Sequence, residues 1–233
     1  MKVIILAGGL GTRISEETSD KPKPMVLVDG KPILWHLMNI FAQQGLTEFI
    51  VATGYKGEVI SSWLEKENFS WNIKALDTGI STQTGGRIKR CMREFAGERV
   101  LVTYGDGLAN VDLKKLISFH EHQGKKATIT AVRPPARFGH LEIENDIVVN
   151  FGEKNQSDAG WINGGFIILE PQVELIIRND EEIFEFGALP ALVFDGELAA
   201  YRHTGFWQPM DTLREKNELA RYAQMSPPPW LHF

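Results

Sequence analysis

Residues 2–32 read KVIILAGGLGTRISEETSDKPKPMVLVDGKP and decide the fold of the chain. The apolar run Lys2–Leu6 is too short for a helix and predicts a buried central strand. This strand leads directly into a turn that contains Gly8, Gly9 and Gly11. Glycine permits positive φ and close approach of a ligand, so consecutive backbone N–H groups can converge on phosphate oxygens. The stretch therefore predicts a phosphate-binding turn at the end of a buried strand.

Two cations follow the turn. Arg13 comes directly after it, and Lys23 stands between Pro22 and Pro24, whose rings restrict the path of the chain. We expect both charges to face the same anion. The familiar glycine signatures do not fit, because a dinucleotide fingerprint would need its third glycine at Ile14 and the P-loop needs a Gly-Lys-Ser/Thr ending. A turn without a ligand would explain the glycines, but not the arginine together with Pro-Lys-Pro.

The composition is that of a globular protein. The 233 residues are 43% hydrophobic and 24% charged, with a net charge of −5 and a pI near 5.7. Such a chain lacks the electrostatic footprint of a nucleic-acid-binding protein. Its one cysteine, Cys91, excludes an intrachain disulfide and a multi-cysteine zinc site and is expected to be a structural thiol. The sequence shows no bilayer-spanning apolar run and no signal-peptide layout, which predicts no membrane partner and a cytoplasmic location.

Hydrophobic periodicity predicts an α/β fold. In the first half, helices are expected at 32–44, 57–67, 85–96 and 112–123, and strands at 49–52, 72–76, 100–104 and 127–132. This alternation is typical of a mostly parallel sheet with helices on both faces. His120, near the end of its helix, is expected to be solvated.

The second half of the chain has a different pattern. Two apolar runs flank the polar pair Asn145-Asp146, which predicts a β-hairpin. Further strands are expected at 161–169 and 196–201, and helices at 182–194 and 211–223. The PPPW sequence predicts a stiff tail with exposed aromatic side chains. We expect one domain, residues 1–233, with a hairpin-rich second half.

Two aspartates are candidate ligands for a metal ion. Asp106 lies between glycines just after the predicted strand at 100–104, and ligands of parallel sheets bind beyond the carboxyl ends of the strands. It is therefore either a ligand of Mg²⁺, which prefers carboxylates and phosphates, or a turn-forming aspartate. Asp211 directly precedes the last predicted helix, so its alternative role is that of a helix N-cap.

The N-terminal stretch resembles the signature of the sugar-phosphate nucleotidyltransferases. Further blocks resemble the cytidylyltransferase branch of that family, namely GKPILWHLM, TGGRIKR, YGDG, RFGHL, INGGF and GFWQPMDTLR. The resemblance implies a Rossmann-like α/β/α fold with a smaller hairpin-rich part. It also implies that CTP and a sugar 1-phosphate, most closely glucose 1-phosphate, give a CDP-sugar and pyrophosphate with Mg²⁺.

The resemblance also implies roles for individual residues. Arg13 and Lys23 would act in catalysis, and Asp106 and Asp211 would hold Mg²⁺. The nucleotide-binding residues would be Leu6, Ala7, Gly8, Gly9, Leu10, Gly11, Thr12, Arg13, Lys23, Thr82, Arg87 and Gly105. The sugar-phosphate-binding residues would be Glu153, Lys154, Asn163, Gly164 and Gly165. The alternative for the INGG sequence is a glycine bulge in a strand, and the neighbouring motifs favour the sugar pocket.

The same resemblance divides the chain by role. Residues 1–133 would mainly bind the nucleotide, 134–210 the sugar phosphate, and 211–233 would form a C-terminal helix and tail. Relative to the family, the segment from Trp63 to Asp77 is shortened by about twenty residues, and the stretch from Glu185 to Pro190 differs. The family tends to form homo-oligomers, and the shortened segment leaves the oligomeric state of this chain undecided. The second difference leaves the identity of the sugar phosphate undecided.

Other functions fit the residues less well. The nearest is the same reaction with another sugar phosphate or with UTP or dTTP. A catalytically silent nucleotide-sugar regulator would be expected to lack Arg13, Lys23 or one of the aspartates, and none is missing. A glycosyltransferase would account for YGDG, but it would leave the two cations unexplained.

Overall fold

The computed structural model describes residues 1–95, 97–134, 139–144, 147–153 and 160–233. In that part of the chain, strands β1 to β14 comprise Lys2–Leu6, Leu27–Val28, Lys31–Pro32, Glu48–Thr53, Asn72–Asp77, Val100–Tyr104, Gly107–Ala109, Ala127–Val132, Gly139–Glu144, Ile147–Glu153, Ile162–Asn163, Ile167–Leu169, Leu198–Arg202 and Trp207–Pro209. Helices α1 to α8 comprise Ser15–Thr18, Ile33–Gln43, Gly57–Lys66, Thr84–Glu94, Leu113–Gln123, Val173–Ile176, Ala188–Phe194 and Leu213–Ala223.

A mixed sheet in the order β11-β8-β12-β6-β1-β4-β5 forms the centre, and β13 also pairs with β8. The strands from β6 to β5 are parallel, whereas β11 and β12 are antiparallel to β8. Val3, Ile4 and Ile5 of β1 are fully buried, as expected for a strand covered on both faces. The predicted α/β fold with a mostly parallel central sheet is confirmed.

Helices cover both faces of this sheet. Because side chains alternate along a strand, Val3 and Ile5 pack with α2 on one face, and Ile4 packs with α4 on the other. Cys91 of α4 lies in the second core, and burial raises the pKa of its thiol to about 12. A thiol with so high a pKa is inert at neutral pH, so its role is structural, as expected.

The predicted hairpin is confirmed, since β9 and β10 pair as antiparallel strands. The strand expected at 161–169 is interrupted. Asn163 pairs with Ala131 and Ile168 with Thr128, so five steps along one strand match three along the other. The extra residues form a β-bulge, which contains the INGG sequence.

Three predictions about local structure were wrong. Residues 182–187 are irregular or in turns rather than helical, because the carbonyl of Glu182 and the N–H of Phe184 are bound to the start of α4. The last helix begins at Leu213, not at Asp211. His120 is buried rather than solvated, and its ring nitrogens hydrogen-bond with Thr128 and Glu170, because the last turn of α5 faces the sheet.

The C-terminal tail packs into the protein. Trp230 is fully buried and contacts the rings of His36 and Phe206, so the prediction of an exposed aromatic at this position was wrong. The Asn110 side chain, just beyond β7, donates a hydrogen bond of 2.8 Å to the carbonyl of His232. The tail therefore supports the strand pair β7–β14. Among the described helices, none is long and apolar enough to cross a membrane.

Trp230→Ala should lower the free energy of unfolding by about 4 kcal/mol, because it empties a large volume in the core. Phe233→Ala is the matched control, since Phe233 is 46% exposed, and it should change the free energy by less than about 0.5 kcal/mol. Urea unfolding, followed by far-ultraviolet circular dichroism, measures the free energy of unfolding of both variants. Equal effects of the two substitutions would contradict the packing described.

Candidate active site

The glycine-rich turn after β1 lines a cavity of about 440 Å³. Gly11 has φ of +67°, a conformation that glycine adopts without strain. Gly105 approaches the turn closely, since its N–H donates to the carbonyl of Leu6 at 2.9 Å and a Cβ there would lie 2.8 Å from that oxygen. The cavity is lined by Leu6, Ala7, Gly8, Gly9, Leu10, Gly11, Thr12, Arg13, Lys23, Pro24, Ile80, Thr82, Gln83, Thr84, Arg87, Tyr104, Gly105 and Asp106.

Every residue that the sequence predicts to bind the nucleotide therefore lies in the wall of one cavity. Arg87 differs from the others because it is buried and its guanidinium bonds to protein oxygens. It donates to the carbonyl of Thr53 at 2.8 Å, to that of Gly8 at 3.1 Å and to the hydroxyl of Thr78. Burial lowers its pKa from the usual range. In this arrangement Arg87 fixes the glycine turn from behind, and its contact with a nucleotide stays a prediction.

Two glycines before Arg87 allow another close crossing. Residues 180–185, here called the crossing segment, pass over the first turn of α4. Gln83 and Gly85 donate their N–H groups to the carbonyls of Asp180 and Glu182 at 2.8 and 2.9 Å, which satisfies donors at the start of the helix. A Cβ on Gly85 would lie 2.7 Å from the carbonyl oxygen of Glu182, and one on Gly86 would lie 2.5 Å from Cα of Asp180. Each glycine of the TGGR block is therefore required for close packing against the crossing segment.

Lys23 joins the two predicted metal ligands. Its ammonium contacts Asp106 Oδ2 at 2.6 Å and Asp211 Oδ1 at 2.7 Å, so these two oxygens are at most 5.3 Å apart. Arg13 reaches the other oxygen of Asp211 at 2.5 Å. The Lys23 side chain is 9% exposed and that of Arg13 69%. The sequence prediction that both cations face one place is consistent with this geometry.

Strand pairing explains why the two aspartates meet. Gly107 of β7 pairs with Pro209 of β14, and Met210 donates its N–H to the carbonyl of Asp106 at 2.8 Å. Asp106 and Asp211 thus stand at the same end of a two-stranded sheet, despite their distance in sequence.

The N-cap alternative for Asp211 does not hold. Thr212 is the N-cap of α8, and with Glu215 it forms a capping box that satisfies the first donors of the helix. The Asp211 carboxylate points instead to Lys23 and Arg13. Asp106 likewise presents its carboxylate to Lys23.

Among the predicted sugar residues, Asn163, Gly164 and Gly165 lie beside the cavity rather than in its wall. Asn163 Nδ2 donates a hydrogen bond of 2.9 Å to the hydroxyl of Tyr104, which does line the cavity. Trp207 Nε1 donates to the carbonyl of Gly164 at 2.9 Å, which joins the GFWQPMDT block to the bulge that contains INGG. Gly165 has φ of +78°. Lys154 and the side chain of Glu153 lie outside the described residues.

The site also contains a hydrogen-bonded group, Tyr104, Thr84 and Glu185, that the sequence analysis did not single out. Tyr104 donates to Glu185 Oε1 at 2.5 Å, and Thr84 donates to Glu185 Oε2 at 2.7 Å. Tyr104 belongs to the YGDG block, which was a usable signal. Glu185 lies where the chain departs from the family pattern, so no motif marked it.

Comparison with known proteins agrees with this geometry. Residues 2–212 match the family described as nucleotidyl transferase. The chain belongs to that family. It is 46% identical to the glucose-1-phosphate cytidylyltransferase of Salmonella typhi, with 99% of this chain and 98% of that protein aligned. It is 41% identical to a probable glucose-1-phosphate cytidylyltransferase of Bacillus subtilis, over 99% of both chains.

A solved structure also resembles this nucleotidyl transferase. HddC from Yersinia pseudotuberculosis, complexed with GMP-PN, has a TM-score of 0.78 and 29% identity over 96% of this chain and 99% of that one. The alignment with the Salmonella typhi enzyme extends over 254 residues, whereas this chain has 233, so at least 21 aligned positions have no counterpart here. That difference agrees in size with the shortening predicted from the sequence.

Gly8→Ala should destabilise the protein, because the new Cβ would lie 2.1 Å from Arg87 Nη1 and the buried guanidinium has little room to move. We expect the free energy of unfolding to fall by about 2 kcal/mol. Gly9→Ala is the control, because a Cβ there meets nothing within 4 Å, and it should cost no more than about 1 kcal/mol. Chemical denaturation measures both variants. A larger loss for Gly9→Ala would contradict the role of the close approach.

Proposed function

We propose that this nucleotidyl transferase joins CTP to glucose 1-phosphate and releases CDP-glucose and pyrophosphate. The observation that carries the proposal is the cluster of Lys23, Arg13, Asp106 and Asp211 beside the glycine turn, in a chain 46% identical to a glucose-1-phosphate cytidylyltransferase over nearly its full length. The cluster supports chemistry on a polyphosphate, and the similarity supports the choice of base and sugar.

The reaction is an in-line displacement. An oxygen of the sugar 1-phosphate forms a bond to the α-phosphorus of CTP while the bond from that phosphorus to the leaving pyrophosphate breaks. The attacking phosphate is already an anion, so no side chain needs to remove a proton. The residues therefore act by positioning and by neutralising charge, which is the common logic of such transfers.

Each part of the cavity wall has a role in this proposal. The backbone of the glycine turn wraps the triphosphate, and the positive charges of Arg13 and Lys23 stabilise the negative charge that develops on the phosphates. Thr82, Arg87 and Gly105 surround the nucleoside. Residues 1–133 thus mainly bind the nucleotide.

The donor set of the site fits Mg²⁺. Two carboxylates within 5.3 Å of each other suit an ion that binds one or two carboxylates together with substrate phosphates. Asp106 and Asp211 would hold it, and in the described part of the chain no larger cluster of His, Cys, Asp and Glu offers another site. When bound, Mg²⁺ neutralises phosphate charge and favours departure of pyrophosphate.

The sugar phosphate binds on the side of the hairpin and the bulge. Residues 134–210 mainly hold it, through Asn163, Gly164, Gly165, Glu153 and Lys154. A cytoplasmic location is proposed as well, since nucleoside triphosphates are available there. The substrates are small molecules. Light scattering of the purified protein would measure whether it assembles into a homo-oligomer.

Removing charge from the cluster should abolish most turnover. Lys23→Met, Asp106→Asn and Asp211→Asn should each lower kcat/KM by about a hundredfold or more, because Lys23 neutralises phosphate charge and the two carboxylates would hold Mg²⁺. Lys21→Met is the matched control two residues away, and it should keep near-normal turnover. Pyrophosphate release measures activity, and thermal melting verifies folding. Near-normal release by the folded Lys23 and Asp106 variants would refute these roles.

The substrate pair is tested with a panel. CTP, UTP, dTTP and GTP are each combined with glucose 1-phosphate, mannose 1-phosphate and galactose 1-phosphate in the presence of Mg²⁺, and pyrophosphate release is followed. CTP with glucose 1-phosphate should give the highest kcat/KM, by about tenfold or more over the other pairs. A higher value for any other pair would replace the proposed substrates while leaving the reaction class unchanged.

A further inference from the structure

Glu185, at the end of the crossing segment, binds two hydroxyl groups of the cavity wall. Its Oε1 accepts a hydrogen bond of 2.5 Å from Tyr104, and its Oε2 accepts one of 2.7 Å from Thr84. Tyr104 and Thr84 both line the cavity. The carboxylate therefore lies behind the wall and bridges two residues that belong to different sides of the site.

Hydrogen-bond chemistry fixes the direction of every donor in this group. An ionised carboxylate only accepts, so the protons of both hydroxyls point to Glu185. The Tyr104 hydroxyl lies 2.5 Å from Glu185 Oε1 and donates its hydrogen to that oxygen. The Tyr104 oxygen then accepts from Asn163 at 2.9 Å, and the Thr84 oxygen accepts from the N–H of Phe184 at 2.9 Å.

The same chain of bonds fixes the amide of Asn163. Its Oδ1 accepts from the N–H of Gly165 at 3.0 Å, and its Nδ2 donates one hydrogen to Tyr104. A side-chain amide has two N–H donors. The second N–H is thus the group that Asn163 can present to a hydroxyl oxygen of a ligand beside the cavity.

We propose that Glu185 is a positioning residue for the sugar phosphate. Through Tyr104 it orients the amide of Asn163 so that an N–H donor faces the sugar, and through Thr84 it ties that orientation to the first turn of α4 on the nucleotide side. The inference rests on the proposed function, because it assumes that the sugar lies next to Asn163.

The carboxylate is not needed to hold the crossing segment in place. Backbone hydrogen bonds already join Asp180 and Glu182 to the start of α4, and the Phe184 side chain is fully buried. Glu185→Gln should therefore leave the fold intact. Its amide offers one acceptor oxygen instead of two, so one of the two hydroxyls loses its acceptor, and the link from α4 through Glu185 to Asn163 is broken either at Thr84 or at Tyr104.

Glu185→Gln should raise KM for glucose 1-phosphate about tenfold and leave KM for CTP within about twofold, because the broken link orients Asn163, whereas the glycine turn and the two cations keep their contacts. Tyr104→Phe interrupts the same chain and should have the same effect. The double variant should be no worse than either single variant, since both changes break one chain. Glu181→Gln is the control, because Glu181 is an exposed carboxylate four residues away.

Steady-state pyrophosphate release, with each substrate varied in turn, measures the KM values of all five proteins, and thermal melting verifies folding. Calorimetric titration with glucose 1-phosphate gives Kd without turnover, so a failure of the proposed reaction is distinguishable from a failure of the positioning role. Weaker binding only in the Glu185 and Tyr104 variants supports the proposal. The proposal would be overturned by equal increases in both KM values, by additive effects in the double variant, or by an unchanged Kd. If Glu185→Gln does not fold, Tyr104→Phe alone decides.

Discussion

The structure of the site depends on one nearly buried ammonium group. A cation with little access to water is stable only when anions or other acceptors surround it. Lys23 meets this condition with two carboxylates, one from the loop after β6 and one from the residue before the cap of α8. The pairing of β7 with β14 is what brings these carboxylates together. The charge balance of the cluster therefore requires the sheet, the last helix and the N-terminal turn to be correctly placed relative to one another.

Close backbone approaches shape the rest of the cavity. Gly8 of the turn, Gly54 after β4 and Gly86 of α4 occur where a Cβ would collide with Arg87 or with the crossing segment. These residues are therefore needed for packing as well as for chain flexibility. Arg87 lies at the centre of these contacts, and its bonds to the carbonyl oxygens of Thr53 and Gly8 hold the glycine turn against the end of β4.

The sequence was informative where the signal is local. The strand Lys2–Leu6, the glycine turn after it and the helix stops at Gly45 and Gly124 follow from short patterns, and the structure has them at the predicted places. The burial of Trp230 was not predictable, because its partners come from distant elements that no local pattern connects to PPPW. The bulge at INGG left two interpretations open, since a glycine pair gives the same signal whether it bends a strand or borders a ligand.

Arg13 and Asp211 are 198 positions apart in the chain, although their side chains are in contact. Synthesis on the ribosome proceeds from the N-terminus, and folding can begin before it is complete. The glycine turn and its two cations are therefore synthesised long before Asp211 has been translated. A nascent chain arrested before Asp211 carries both cations of the site with at most one of the two carboxylates that balance them, so the charge cluster is completed only in the last stage of translation.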